Sequence, residues 1–233
     1  MTVFKSRFLV LLVALGAVAI ATAFAPARAA DSSPPTLLVV GDSLSAGYGL
    51  FLEEGWVALL ETRLAETGRP HRIVNASISG ETSSGGLARL PRALARHQPA
   101  ILIVQLGGND GLRGIDIGTL RDNLARMIEL GQGAGSEVIL TGIKIPRNYR
   151  DEYYEAFEAV YQELAGRYDV PLVDFLLEGV ALDPALMQSD GIHPNAAAQP
   201  RLLDNVWPAV EEALARLAQR PRLAEAGSRG HTR

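Results

Sequence analysis

Cysteine is absent from this 233-residue chain. That excludes disulfides, thiolate metal sites and a cysteine nucleophile. A basic excess is also missing: 22 Lys and Arg stand against 26 Asp and Glu, a formal charge of −4. Nucleic-acid binding calls for a basic patch, so no nucleic-acid partner is expected. Long apolar runs are missing too, except near the N-terminus. What remains is 48% apolar and 21% charged, the balance of a globular chain. The length fits one domain of about 200 residues plus extras.

The N-terminal exception has the layout of a secretory signal. Lys5 and Arg7 precede an apolar stretch over 8–24, and Ala27-Arg28-Ala29 is an A-x-A cleavage pattern. The alternative is a retained anchor, but the run is short for a span of about 20 residues. No adjacent arginine pair points to the twin-arginine route. The expectation is a signal peptide over 1–29, a soluble domain over 30–220 and a disordered basic tail over 221–233. The mature protein then carries no stable membrane anchor and is periplasmic or extracellular.

Along the chain, strands alternate with helices. Thr36 to Val40 is a continuous apolar or β-favouring run into Gly41-Asp42-Ser43, which reads as a buried strand of a parallel sheet. Further strands are expected near 72–76, 100–106, 137–141 and 171–173. Helices are expected over 54–67, over 87–97 with Pro91 in the first turn or two, over 116–130, over 151–168, and from after Asn195 to about 219. Pro208 should kink or break the last helix. The segment 77–86 reads as a small-residue loop. This alternation gives an α/β fold, a three-layer α/β/α sandwich with a five-stranded parallel sheet.

Chemistry in such folds sits past the C-terminal ends of the strands. Ser43 lies there, as a nucleophile or as a cap on the next helix. A serine nucleophile needs a base, usually histidine, and a group that orients it. Of four histidines, His71 sits at a strand entrance, His97 at a helix end and His231 in the tail. His193 alone lies in a loop expected at the correct end of the sheet, with Asp190 three residues before it. That turn is compact enough for the carboxylate to hold one ring nitrogen and leave the other for Ser43. It reads equally as a surface turn capping the last helix. An oxyanion also needs donors. The Gly80 N–H and the Asn109 side-chain amide can supply them, or both loops are simply tight turns.

Gly41-Asp42-Ser43-Leu44-Ser45, Gly80, Gly107-x-Asn109-Asp110 and Asp190-x-x-His193 occur in that order. Together they resemble the four blocks of the SGNH, or GDSL-type, hydrolases. The stretches 75–83, 107–114 and 187–195 look more specifically like the bacterial secreted multifunctional esterases: the acyl-thioesterase I, lysophospholipase L1 and arylesterase group. The resemblance implies a flavodoxin-like sandwich with Ser43 as nucleophile, His193 as general base and then acid, and Asp190 as its orienting partner. It implies an oxyanion hole of the Ser43 and Gly80 N–H groups and the Asn109 amide, with Asp42 fixing the turn. No metal or cofactor is implied. The substrate would be a small acyl ester or thioester, lysophospholipids included, and the protein a monomer. The usual α/β-hydrolase elbow is not present, since Gly41 to Ser45 lacks the second glycine of G-x-S-x-G.

The pocket is less legible. Leu112, Ile143, Ile145 and Pro146 are expected to form an apolar wall of an acyl groove; their other reading is ordinary loop packing. The competing enzyme reading is an SGNH carbohydrate O-deacetylase, which would favour aromatic and polar platforms over these short aliphatic loops. A non-catalytic scaffold would be marked by a missing Ser, Asp or His, and none is missing.

Overall fold

The structure is a computed structural model that describes residues 34–145 and 151–229. Five strands form one sheet: β1 (Thr36–Gly41), β2 (Arg72–Asn75), β3 (Ile101–Gln105), β4 (Glu137–Thr141) and β5 (Leu172–Val173). Every pairing is parallel, in the order β2-β1-β3-β4-β5. Central β1 and β3 are buried along their whole length, which is why both read as unbroken apolar runs. Edge strand β2 is exposed at both ends. The chain goes from β1 to β2 on one side and then crosses to β3 on the other. A crevice therefore opens between the C-terminal ends of β1 and β3.

Helices cover both faces. They are α1 (Ser43–Ala46), α2 (Trp56–Glu66), α3 (Ser83–His97), α4 (Gly108–Leu112), α5 (Ile117–Gly133), α6 (Asp151–Tyr168) and α7 (Gln199–Arg229). α2 packs on α7, while α5 packs on both α3 and α6. The stripe Leu120, Leu124, Met127 and Ile128 of α5 is buried, as are Trp56, Leu60 and Leu64 of α2. Each such side chain contributes roughly 1.5–3 kcal/mol by leaving water.

Four expectations need correction. α3 begins at Ser83 rather than near Leu87, because Thr82 caps it by accepting from the Gly85 N–H. Gly86 lies in that helix, and glycine is needed there because a side chain would strike Leu106. Pro91 consequently falls in the interior of α3, on its exposed side, where water can serve the carbonyl that loses its N–H partner. Pro208 does not break α7, which is continuous to Arg229; the backbone expected to be disordered from Pro221 is helical that far. Good helix formers, Leu223 to Ala226, follow Pro221. Among the described residues, no helix is long and apolar enough to cross a membrane. The expected signal peptide lies outside the described residues.

Candidate active site

The turn after β1 resolves the two readings of Gly-Asp-Ser by dividing the work. Asp42 is extended, at φ −104° and ψ −150°, and its carboxylate accepts the Leu44 N–H at 3.0 Å. Asp42 is thus the cap of α1. Ser43, the first residue of that helix, keeps its hydroxyl for another partner. That partner is His193, whose Nε2 lies 2.9 Å from Ser43 Oγ.

His193 is held from three directions. Its Nδ1 lies 2.7 Å from Asp190 Oδ2. Asp190 Oδ1 accepts the backbone N–H groups of Ile192 and His193, at 2.9 and 3.0 Å. The Tyr48 ring leans on the imidazole with centroids 4.5 Å apart. Those backbone donors and the ring hold the Asp190 carboxyl well below its usual range, at about 2. Asp190 is therefore ionised near neutral pH and accepts a proton held on Nδ1. Nε2 is left as the acceptor facing Ser43 Oγ. Gln188 ties this turn to the Tyr48 loop, donating to the carbonyls of Tyr48 and Pro194 at 2.7 and 3.0 Å.

Two more loops converge on the crevice. Gly80 follows β2 with φ +79°, and Arg113 donates to its carbonyl at 3.0 Å. Asn109 is the second residue of α4, directly after β3. Gly107 turns the chain there at φ +117°, and a side chain at that position would strike the Tyr161 hydroxyl. That hydroxyl donates to Leu106 O at 2.9 Å. Asp110 anchors the short helix from below. It is buried and accepts from both the Ser83 N–H, at 2.8 Å, and the Ser83 hydroxyl at the start of α3.

Asp42 carries the other perturbed carboxyl. Burial beneath the nucleophile turn pushes it up to about 6, against the opposing pull of the Leu44 and Gln105 hydrogen bonds. The folded state thus holds this proton more tightly than the unfolded chain, where the value is 3.8. Stability from this group is present below 3.8 and lost as pH rises through about 6. The ionised fold is disfavoured by on the order of 3 kcal/mol. Asp42→Asn keeps an oxygen for Leu44 and Gln105 and removes the charge. The variant should melt higher than wild type at pH 8, with a much smaller gap at pH 4. Equal gaps at both pH values in a thermal melt would contradict this account.

The expected groove residues separate. Leu112 is 43% exposed at the end of α4. Ile143 and Ile145 are instead 5% exposed and belong to the core. A Cβ on Gly111 would lie 2.5 Å from Ile145 Cγ2, so Ile145 supports α4 from beneath. Short apolar loops after a buried strand are drawn into the core by the same burial energy that fills the sheet. Pro146 lies outside the described residues. A narrow cleft with no room for a water-sized sphere borders Ser43, Leu44, Tyr48, Leu50 and His193. A wider depression of about 560 Å³, beside Leu182, Met187 and Gly191, excludes Ser43. His71, just before β2, is buried, with Nδ1 2.8 Å from the Arg69 carbonyl. His97 ends α3, and His231 is outside the described residues.

Gln105, Tyr48 and Gln188 are not singled out by the sequence. Only Gln105 carried a signal, as a lone amide closing an otherwise apolar strand. Among the described residues, no cluster of three or more His, Asp or Glu side chains is arranged to hold a metal ion.

The chain is similar to known proteins in sequence and in fold. Residues 39–201 match the GDSL-like lipase/acylhydrolase family. Esterase TesA of Pseudomonas aeruginosa is 55% identical over 184 residues, covering 79% of this chain and 92% of that one. Thioesterase 1/protease 1/lysophospholipase L1 of Escherichia coli K12 is 48% identical over 178 residues, covering 76% and 82%. A crystal structure of TesA superposes with a TM-score of 0.74 at 54% identity, covering 76% of this chain and 99% of that one. The five-stranded fold, the matched span and these relatives together establish that this chain belongs to the GDSL-like lipase/acylhydrolase, or SGNH hydrolase, family.

Proposed function

We propose that this protein is an exported serine esterase that hydrolyses acyl esters and thioesters through Ser43, His193 and Asp190. The observation that carries the reading is the hydrogen-bonded chain from Ser43 Oγ through the imidazole to the Asp190 carboxylate, at 2.9 and 2.7 Å. Ser43 Oγ attacks the acyl carbonyl as His193 Nε2 takes its proton. The Ser43 and Gly80 N–H groups and the Asn109 amide hold the developing oxyanion, each worth roughly 2.7–4 kcal/mol in the transition state. Collapse breaks the C–O or C–S bond, and His193 returns the proton to the leaving group. A water molecule, deprotonated by His193, then attacks the acyl-enzyme and releases the acid.

The exposed side chains favour an apolar acyl group. Tyr48, Ile78, Leu112 and Ile192 are all exposed, each on a loop or short helix that also carries a residue of the proposed site. Apolar side chains exposed on the same segments as the proposed site residues suit a fatty chain. Medium and long acyl esters, thioesters and lysophospholipids are the proposed substrates, and the residues needed lie on one chain, as a monomer requires. Export rests on the Lys5 to Ala29 pattern; mass spectrometry of the periplasmic fraction should find a mature protein starting at Ala30.

A fluorophosphonate probe tests the assignment. It should label one serine, in the peptide holding Ser43, and leave Ser43→Ala unlabelled. Labelling elsewhere overturns the nucleophile. In parallel, p-nitrophenyl esters from acetyl to palmitoyl should be turned over with a preference above acetyl. A pure acetyl preference would instead favour the carbohydrate O-deacetylase reading.

A further inference from the structure

We infer that Gln105 is a positioning residue for the nucleophile: its buried amide clasps the residues on both sides of Ser43 and thereby sets where Ser43 points. The inference rests on Ser43 acting as proposed above.

Gln105 closes β3 after Ile101, Leu102, Ile103 and Val104, and it is 1% exposed. An amide buried at the end of an apolar strand is unfavourable unless its atoms are paired. Here they are paired with the opposite strand end. Gly41, the last residue of β1, is the register partner of Gln105. Gln105 Nε2 donates to Asp42 Oδ1 at 3.1 Å. Gln105 Oε1 accepts the Ser45 hydroxyl at 2.6 Å and the Asp42 N–H at a longer 3.4 Å. The orientation of the amide follows from these partners. A backbone N–H can only donate and a carboxylate can only accept, so the oxygen and nitrogen cannot exchange places.

The clasp explains the glycine that opens the motif. A Cβ on Gly41 would lie 2.8 Å from Gln105 Oε1 and 2.9 Å from Ser45 Cβ and Oγ. Glycine there lets β1 and β3 close around the amide. Asp42 and Ser45 are then fixed by one side chain on a central strand, and Asn75 adds a bond to the Ser45 carbonyl at 2.7 Å. Ser43 sits between these two anchors, and among the described residues its hydrogen-bonded side-chain partner is the His193 ring. Its N–H and hydroxyl inherit their direction from the flanking residues. An error of about 1 Å in such a site can cost on the order of 100-fold in rate.

Gln105→Leu keeps the volume and removes all three bonds. Its kcat on a p-nitrophenyl ester should fall by about 30–100-fold, with KM changed by less than about threefold, because the fault lies in aim and not in substrate contact. Gln105→Glu tests the hydrogen bonds themselves. Its protonated carboxyl can donate to Asp42 and accept from Ser45, so at pH 6 it should retain activity to within about fivefold of wild type. Ser45→Ala removes a single bond and should lower kcat by about 3–10-fold, giving an answer if Gln105→Leu fails to fold. A wild-type kcat in Gln105→Leu and Ser45→Ala overturns the inference. Equal losses in Gln105→Leu and Gln105→Glu overturn it too, since shape and not bonding would then matter. Ser43→Ala runs beside them: if it keeps turnover, the nucleophile assignment itself has failed, whereas a dead Ser43→Ala beside a normal Gln105→Leu sinks only the role of Gln105.

Discussion

On the proposed mechanism, His193→Ala is expected to lower kcat for p-nitrophenyl esters on the order of 10⁶-fold, with KM little changed. Nothing else in the site can take the Ser43 proton. Asp190 is held at about 2 and is too weak a base, and Asp42 turns its Oδ1 to Leu44 and Gln105, away from the hydroxyl. Without the imidazole, Ser43 attacks as a neutral alcohol and the leaving group departs without a proton. What survives is binding and the oxyanion donors, worth about 10³–10⁴ over water. Asp190→Asn should do less damage, about 10⁴-fold, because the imidazole remains but its tautomer and aim are no longer imposed. His193 is a turn residue with its side chain mostly enclosed by Asp190, Tyr48 and Ser43, so folding should survive its removal. Single-turnover rates and a far-UV spectrum check both halves. A kcat within about 100-fold of wild type would remove His193 from the chemistry.

Asp110→Ala is expected to cost stability and activity together. The carboxylate is fully buried and serves the N–H and the hydroxyl of Ser83, the first residue of α3. Alanine leaves both donors unpaired inside the protein, about 1–3 kcal/mol each. Asn123 still reaches Ser83 Oγ at 2.9 Å, but it donates to that oxygen and cannot replace an acceptor. Losing a buried charge acts in the opposite direction. The unpaired donors outweigh it here, because the carboxylate was well served and they have no other partner. A net loss of about 3–5 kcal/mol corresponds to a Tm lower by roughly 6–20 °C for a domain of this size. Activity falls as well, since Asn109 is the neighbour of Asp110 and loses its footing; about 10–100-fold in kcat is expected. Asp110→Asn separates the contributions. It drops the charge but keeps an oxygen for the Ser83 N–H, so it should recover most of the Tm. A Tm for Asp110→Ala within about 3 °C of wild type would show that the Ser83 contacts hold nothing together.

The positions of the site residues were legible because they follow from a rule about strands. Val40, Asn75 and Leu106 lie at or beside the ends of apolar or β-favouring runs, and parallel strands present their C-terminal ends to one edge of the sheet. Small polar residues right after those ends had to meet there. The helices were legible where a stripe ran uninterrupted, as in α5. The start of α3 was not, because Ser83 to Gly86 have poor helix propensity. They are helical through the Thr82 cap, the Asp110 carboxylate and the close approach of Gly86 to Leu106. Ile143 and Ile145 misled for a related reason. An apolar residue in a loop looks the same in sequence whether it faces a ligand or the core, and burial beneath α4 decided it.

By itself, then, the sequence determined the alternation of strands and helices and named the candidate groups for acyl chemistry. Both are local properties: apolar periodicity, and side chains of the right type next to strand ends. The tertiary structure alone decided which of those groups meet. Ser43 and His193 are 150 positions apart, and their 2.9 Å contact exists because β1, β3 and the turn before α7 converge on one crevice. It also decided that Asp42 would cap α1 while Ser43 kept its hydroxyl free, and that Gln105 would lie across from Gly41. Sequence spacing carries no information about register between strands. Register follows from the packing of the whole sheet, and on it depends how the nucleophile turn is held.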